Sequence, residues 1–193
     1  NSQIKIAIWN GSALSKRDSC TQNNFSSTIS KYKTVDIKKI FFVSVVSSES
    51  NKEIHTKLYK TFSLKPIQLK ATRSLMGVKN GYKNPSQLGD DRWCSVVGGY
   101  IITQKPFMIV DCGSAISIDF VNFDAKHEGG YILSGLKGYG NSFQNTHKLK
   151  NLKIKKINIS TGTAIAKDTK NALTKGYLLM ITSAIERAYE EFT

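Results

Sequence analysis

The sequence has no apolar run approaching the roughly 18 to 20 residues needed to span a bilayer, and we expect no membrane partner. It has only three cysteines, Cys20, Cys94 and Cys112, and no Cys-x-x-Cys pair. The spacing argues against a zinc ribbon, and the odd number argues against a disulfide framework. This cysteine usage favours a reducing, cytoplasmic setting.

Histidines are equally few. His55, His127 and His147 show no metal-ligand spacing, and we interpret all three as structural. With 40% hydrophobic and 22% charged residues, the 193-residue chain has the composition of an ordinary globular protein, which excludes a disordered tail or a collagen-like fibre. The length allows one domain or two small ones.

Acidic residues are scarce relative to basic ones: 14 Asp plus Glu stand against 28 Lys plus Arg, a formal net charge of +14. Such a charge is typical of nucleic-acid-binding proteins, but lysine-rich enzymes that bind phosphates share it. The lysines are dispersed apart from a dense run over 148–156, and no helix-turn-helix, zinc-finger or aromatic RNA-binding pattern accompanies them. We therefore expect anionic ligands rather than a nucleic acid.

The two ends of the sequence are unusual. The first residue is Asn1 rather than Met, and the opening residues resemble neither a signal peptide nor a transit peptide. We expect the natural start to lie upstream of Asn1. At the other end, a predicted helix over 171–192 runs to the end of the chain.

Hydrophobic periodicity predicts a mixture of strands and helices. Alternating isoleucines predict a strand over 4–9, and Asn10-Gly11 predicts a hairpin after it. A continuous apolar run over 40–46 predicts a buried strand. Further strands are predicted over 65–69, 107–110, 116–123 and 131–133. Helices are predicted over 53–62, 90–100 and 171–192. The polar region 18–36 is predicted to be weakly structured, and the region 72–89 to be a loop. This mixture predicts an α/β protein.

An internal repeat relates two of the predicted strands. Residues 2–10 (SQIKIAIWN) align with residues 114–122 (SAISIDFVN), with four identities in nine and the same apolar phase. Chance similarity between two strands is one explanation. The other is a pair of related halves, in which case an Asp-x-Gly sequence is expected just upstream of Asn1.

The loop before the second copy has the chemistry of a phosphate-binding loop. Gly113 lets the backbone approach an anion closely, and backbone N–H groups with the Ser114 hydroxyl can hold phosphate oxygens. Asp111, at the end of a strand, can hold a cation. Two such loops facing each other would clamp a nucleoside triphosphate, as in actin-like and sugar-kinase-like folds.

Further segments match a known family in order and spacing. They are GYKNPSQL from Gly81, GDDRW from Gly89, VDCGSAISID from Val110, HEGGYILSGL from His127, and DTKNA from Asp168 with Gly176. Together they resemble the type III pantothenate kinases, a family that includes proteins labelled Bvg accessory factor, from Asn1 to about Glu186. The resemblance implies two similar actin-like (ribonuclease H-like) halves around a nucleotide cleft, over 1–104 and 105–193.

The resemblance implies ATP-dependent phosphorylation of pantothenate to 4′-phosphopantothenate, the first step of coenzyme A biosynthesis. Asp91 matches the catalytic aspartate that accepts the proton of the pantothenate hydroxyl. The positions that match substrate contacts are Tyr82, Gly89, Asp90, Asp91, Arg92 and Thr169. All but Gly89 have a plainer explanation as well: a helix cap for Asp90, Asp91 or Thr169, a surface ion pair for Arg92, and a packed loop aromatic for Tyr82.

The resemblance also implies the remaining ligands and partners. The positions that match ATP contacts are Asn1, Ser2, Gln3, Ile4, Lys5 and Ser114. Asp111 matches the position that holds a monovalent cation, potassium or ammonium, and ATP is expected to bind with Mg²⁺. A homodimer is expected through the second half, because the segment 177–185 is apolar on more than one side. In the family, the partner subunit can supply the residue that matches Thr169.

The sequence departs from the family pattern at two positions: Ser134 replaces a proline, and Glu128 stands where an apolar residue is usual. The alternative is a non-enzymatic transcriptional accessory protein on the same scaffold, favoured by the net charge of +14 and by the start expected upstream of Asn1. A kinase for another small alcohol on this fold is a third hypothesis. The pairing of Asp91-Arg92 with Asp111-x-Gly113-Ser114 favours the enzyme.

Overall fold

The computed structural model of this chain describes residues 3–146, 149 and 165–193. They form a mixed α/β protein with two compact units, which divide between Lys70 and Ala71. The predicted division between residues 104 and 105 follows the internal repeat instead and stays a prediction. In the described part of the chain, no helix combines the length and hydropathy that crossing a bilayer requires.

The first unit begins with an antiparallel hairpin. Its strands are β1 (Ile4–Trp9) and β2 (Leu14–Cys20), as the alternation and the Asn10-Gly11 turn predicted. The Asn10 side chain accepts hydrogen bonds from the backbone N–H groups of Ser12 and Ala13, and Gly11 takes a φ of +101°. Only glycine adopts that conformation readily, so the dipeptide fixes the turn.

The rest of the first unit packs against this hairpin. Its elements are a 3-10 helix (Gln22–Asn24), α1 (Phe25–Ser30), β3 (Phe41–Phe42), α2 (Ser48–Phe62) and β4 (Ile67–Gln68). The core contains Cys20, Phe25, Ile29 and Leu58. The region 18–36 was predicted to be weakly structured, which is wrong, because two apolar residues of α1 are enough to anchor it despite its polar composition.

The predicted buried strand over 40–46 is also wrong in extent. Only Phe41–Phe42 forms a strand, which pairs in parallel with β4. After Phe42 the chain leaves this pairing, and Val45 is 63% exposed. Continuous apolarity predicts burial on both faces, but β3 pairs with one neighbour in the described structure and cannot bury both.

The second unit contains the longer elements. They are β5 (Ser74–Leu75), β6 (Val78–Lys79), a 3-10 helix (Pro85–Gln87), α3 (Asp90–Thr103), β7 (Phe107–Cys112), β8 (Ala115–Val121), β9 (His127–Ser134), α4 (Leu136–Asn141) and α5 (Thr169–Phe192). The predictions of α3, the three longer strands and α5 are confirmed. The region 72–89 adds the short β5–β6 hairpin to the predicted loop.

The three-stranded antiparallel sheet β7-β8-β9 is the centre of the second unit. Alternate residues of the central strand β8 face opposite sides. Ile116, Ile118 and Phe120 pack with α5, whereas Val121 packs with Trp93 and Val96 of α3. Asp119, two residues before Val121, therefore lies on the α3 side and is the one charged residue of this strand.

Candidate active site

A buried ion pair joins α3 to the sheet. Arg92, in the first turn of α3, donates from Nε to Asp119 Oδ2 over 2.9 Å and from Nη2 to Asp119 Oδ1 over 2.7 Å. The two side chains are 10% and 2% exposed. This fork-to-carboxylate geometry is the strongest form of an Arg–Asp pair. The surface ion pair considered as the alternative for Arg92 is therefore replaced by a buried one.

Tyr82 and His127 complete a group of four contacting side chains. Arg92 Nη1 donates to the Tyr82 hydroxyl over 3.1 Å, and the Tyr82 ring stacks on His127 with centroids 5.7 Å apart. His127 Nε2 lies 2.8 Å from Asp119 Oδ1. Because an ionised carboxylate only accepts, this nitrogen carries the proton. The contacts form a closed ring, Arg92–Asp119–His127–Tyr82, which we call the arginine ring.

The charge state of Asp119 follows from these contacts. Burial by itself raises the pKa of the carboxyl group, but the hydrogen bonds from His127 and Arg92 and the charge of Arg92 outweigh it. The pKa of Asp119 is therefore below its usual value. Burial opposes the charge on Arg92, yet the hydrogen bond and charge of Asp119 raise the guanidinium pKa overall. Both groups are ionised at neutral pH.

Two glycines leave the space that the arginine ring occupies. A Cβ atom at Gly130 would lie 2.0 Å from the Ile118 carbonyl oxygen and 2.9 Å from Arg92 Nη2. A Cβ atom at Gly81 would lie 1.7 Å from the His127 carbonyl oxygen. Both glycines lie in the segments that match the family, and these close approaches give a physical reason for them.

The two aspartates that open α3 have different surroundings. Asp91 is exposed, and its Oδ1 accepts from the backbone N–H of Arg92 over 2.8 Å. Asp90 is half-buried and its Oδ1 accepts from the backbone N–H of Ala71 over 2.8 Å. The N-cap of α3 is Gly89, without a side-chain cap. Neither aspartate is therefore the N-cap residue that was considered as the alternative.

The predicted phosphate loop connects β7 to β8. Asp111 is exposed near the end of β7, opposite Ser117. Gly113 N–H donates to the Ala115 carbonyl over 2.9 Å, which closes a tight turn. A Cβ atom at Gly135 would lie 2.4 Å from the Ser114 carbonyl oxygen. The loop thus packs on the chain just after β9 and leaves Asp111 and Ser114 exposed to solvent.

Thr169 is the first residue of α5 and is exposed. The cap of this helix is Asp168, whose Oδ1 accepts from Asn171 N–H over 2.9 Å, so Thr169 is not the cap. The hydrogen bonds from the Asn171 backbone and side chain lower the pKa of Asp168. The Thr169 side chain is therefore exposed at the start of α5 and does not cap the helix.

The remaining predicted ATP contacts lie in the first unit. Asn1 and Ser2 fall outside the described residues. Gln3 and Lys5 are exposed, and the Ile4 side chain packs on the core of the first unit. Any ligand contact of Ile4 is consequently limited to its backbone. A cavity of about 490 Å³ also lies in this unit, lined by Phe42, Ser48, Asn51, Lys52, His55, Thr56, Gln68 and Lys70. The predicted site residues are not among its lining.

Comparison with known proteins decides the family. Residues 1–191 match the family model described as type III pantothenate kinase. The chain belongs to the type III pantothenate kinase family. Three similar curated proteins are named type III pantothenate kinase. The one from Marinomonas sp. is 29% identical over the whole of this chain and 77% of its own length. The one from Azotobacter vinelandii is 30% identical over 77% of this chain and 60% of its own length, and the one from Ectopseudomonas mendocina is 34% identical over 53% of this chain and 41% of its own length. The chain thus spans about two fifths to three quarters of the length of these relatives.

The two departures from the type III pantothenate kinase pattern have local explanations. Glu128 is the extra residue of a bulge in β9, since Phe120 pairs with Gly129 and Val121 with His127. It is exposed and accepts from Lys126 over 3.2 Å, so an acidic side chain is accommodated. Ser134 ends β9 and needs no special conformation there.

Sequence reasoning missed two members of the arginine ring. Asp119 and His127 stood inside the quoted family segments, but Asp119 received no role and His127 only a structural one. One signal was available: Asp119 is the one charged residue of the mostly apolar strand β8, and a buried carboxylate requires a partner.

Proposed function

We propose that this protein transfers the γ-phosphoryl group of ATP to the hydroxyl of pantothenate and releases 4′-phosphopantothenate and ADP. The observation that carries the proposal is the start of α3, where the exposed carboxylate of Asp91 lies beside the buried, doubly bonded Arg92. Family membership supports the same reaction. The curated relatives cited above are all named as kinases, and the alternative of a non-enzymatic regulator is not favoured.

In the proposed step, the pantothenate hydroxyl oxygen forms a bond to the γ-phosphorus while the bond to the β,γ-bridging oxygen of ATP breaks. The hydroxyl proton moves to the Asp91 carboxylate. Because phosphoryl transfer passes through a loose transition state, positioning matters more than strong basicity. An exposed carboxylate at a helix start, without an ion pair in the described structure, suits this role.

Arg92 and Tyr82 are proposed to bind the carboxylate end of pantothenate. A guanidinium group has five N–H donors, and three of those of Arg92 are used by Asp119 and Tyr82. Two donors remain, one on each terminal nitrogen, for a substrate carboxylate. Gly89 and Asp90 are proposed as further contacts, with Asp90 also tying Ala71 to the helix.

ATP is proposed to bind through the two phosphate loops. The residues that would contribute are Asn1, Ser2, Gln3, Ile4, Lys5 and Ser114. The exposed carboxylate of Asp111 is a hard oxygen ligand and suits a potassium or ammonium ion, while Mg²⁺ would accompany ATP. These cations would neutralise phosphate charge during the transfer.

The two hairpins support the proposal of two similar actin-like, sugar-kinase-like halves. In β1–β2, Ala7 pairs with Arg17 and Ile8 with Ser15, which leaves Lys16 as an extra residue. The hairpin β8–β9 has the same bulge, at Glu128. Each half of the repeat thus continues into a strand with one inserted residue near its start.

The quaternary structure and location are proposed on further grounds. Helix α5 buries Tyr177 and Ile181 on the sheet but leaves Leu179 68% exposed, which supports a homodimer through this helix, with Thr169 serving the partner's site. The three cysteines are free, which fits a cytoplasmic enzyme.

A coupled ADP-release assay on the full-length protein tests the proposed function. ADP release should depend on pantothenate and increase with potassium or ammonium. Pantothenyl alcohol, which lacks the carboxylate, is the matched control. It should be a poorer substrate because it offers Arg92 no carboxylate to bind. ADP release that is equal with and without pantothenate would contradict the proposal.

A further inference from the structure

Arg92 directly follows the proposed catalytic Asp91 in the chain, yet in the described structure the two side chains form no ion pair. The only contact of the Asp91 carboxylate with Arg92 is through the backbone N–H, at 2.8 Å. The guanidinium is instead bonded to Asp119 and Tyr82. Consecutive residues of a helix do not face each other, so Arg92 is directed to partners other than Asp91.

Stability alone does not explain this arrangement. A buried ion pair is seldom more stable than well-packed apolar residues of the same size, because both charges lose their hydration. The same side of the sheet carries an apolar layer in which Val121 packs with Val96 and Trp93 of α3. Apolar residues at positions 92 and 119 would fit that layer, so the pair calls for a functional reason.

The four contacts of the arginine ring fix Arg92 from two directions. Asp119 holds Nε and Nη2, and Tyr82 holds Nη1. His127 supports both of these partners, since it donates to Asp119 and stacks on Tyr82. It is completely buried, so its position is set by packing. Gly130 leaves no Cβ atom that would displace Asp119 or Arg92.

We propose that Asp119 and His127 are positioning residues that hold Arg92 in place for the substrate carboxylate. This inference rests on the proposed function. A free Arg92 would have many rotamers and would lose that freedom on binding. The arginine ring fixes the side chain before the substrate binds.

Asp119 itself is not a candidate base. Its Oδ1 accepts from both Arg92 and His127, and its Oδ2 accepts from Arg92 Nε. Its side chain is 2% exposed, which leaves a substrate hydroxyl no path to it. Its effect on the reaction must therefore pass through Arg92.

Substitution of His127 tests the proposal with a matched pair of variants. In His127→Gln, the side-chain amide can still donate to Asp119, whereas His127→Leu has no donor. For His127→Leu we expect KM for pantothenate to rise about tenfold or more. Metal sites lose affinity or activity by a similar factor when a residue that orients a ligand is removed. KM for ATP should stay within about twofold, since the proposed function has Arg92 and Tyr82 bind pantothenate and not ATP. His127→Gln should recover most of the loss.

A double-mutant cycle of Asp119→Asn with Arg92→Lys supplies a second measurement. If Asp119 acts through Arg92, the two changes should cost clearly less together than the product of their separate effects on kcat/KM for pantothenate. Should His127→Leu fail to fold, His127→Asn replaces it, because its shorter amide does not reach Asp119.

The outcomes separate the two proposals. Absence of pantothenate-dependent turnover in the unsubstituted protein rejects the proposed function, and the positioning role with it. Turnover in the unsubstituted protein with equal KM values for His127→Leu and His127→Gln rejects the positioning role alone. A parallel rise in both KM values, or independent effects in the cycle, also overturns it, because those results describe a purely structural role.

Discussion

At the scale of single residues, the two adjacent aspartates at the start of α3 have different environments and contacts. Asp91 is exposed, and among the described residues its carboxylate accepts only from the Arg92 backbone N–H, whereas Asp90 accepts from the backbone N–H of Ala71. This difference could not be read from the sequence Gly-Asp-Asp-Arg. It provides an internal control for the proposed base.

Asp91→Asn is expected to lower kcat by about 10² to 10⁴-fold, the usual contribution of a general base, with little change in ATP affinity. Asp90→Asn should cost much less, because the amide oxygen of asparagine can still accept from Ala71 N–H. Steady-state kinetics of both variants checks this. Equal losses, or a larger loss for Asp90→Asn, would mean that the base is assigned wrongly.

Asp119 gives a prediction for the dependence of stability on pH. Its pKa lies below the ordinary value of 3.8 in the folded protein, so its ionised form stabilises the fold above that pH, and this stability is lost as the pH falls through the folded-state pKa. Asp119→Asn should cost about 3 to 5 kcal/mol near neutrality. Urea unfolding should show this difference shrinking below about pH 4, since protonated Asp119 resembles asparagine. A constant difference from pH 7 to pH 3 would refute the prediction.

At the scale of elements, the close approach of β9 to β8 and α3 depends on Gly130. A Cβ atom there would meet backbone and the ion pair at once, and neither can move freely. Gly130→Ala should therefore destabilise the protein by about 1 to 3 kcal/mol. Gly98→Ala is the matched control, because no described residue outside its own helix turn lies within 4 Å of its Cβ position in α3, and it should be neutral or stabilising. Similar unfolding midpoints for the two variants would contradict this account.

The β7–β8 loop gives a second prediction at this scale. Asp111 is exposed on its strand, and the described part of the protein holds no cluster of three acidic, cysteine or histidine side chains suited to a metal. A bound cation would thus need oxygens from the backbone or from ATP as well. Asp111→Asn should weaken activation by potassium or ammonium while the melting temperature stays nearly constant. An unchanged response to these cations would remove Asp111 from the cation site.

At the scale of the whole molecule, sequence patterns predicted the long elements better than the short ones. The strand β1, the helices α2, α3 and α5 and the sheet β7-β8-β9 follow from periodicity, because each buries a regular apolar face. The strand predicted over 40–46 was wrong in extent, because burial of this apolar run depends on how many strands pair with it. The assignment of Asp91, Arg92 and Tyr82 to the site stays a prediction, and the structure adds that Arg92 contacts Tyr82 and Asp119. The contact with Asp119 could not be predicted from local sequence, because the two residues lie 27 positions apart.

The last prediction concerns the proposed dimer. Along α5, Tyr177 and Ile181 pack on Ile116 of the sheet of the same chain, whereas Leu179 is 68% exposed. An exposed leucine on a helix already covered on its other face is a natural contact for a second copy, and a two-fold interface would use the same surface on both subunits.

Light scattering should therefore show a dimer at micromolar concentration, and Leu179→Glu should shift it toward monomer because a charge would be buried at the interface. Ile102→Glu is the matched control: this residue is 85% exposed on α3 and outside the proposed interface, so the substitution should leave the dimer intact. If Thr169 serves the partner's site, Leu179→Glu should also raise KM for pantothenate, and dilution of the unsubstituted protein should reproduce that rise. A monomer at micromolar concentration, or a dimer unaffected by Leu179→Glu, would remove α5 from the interface.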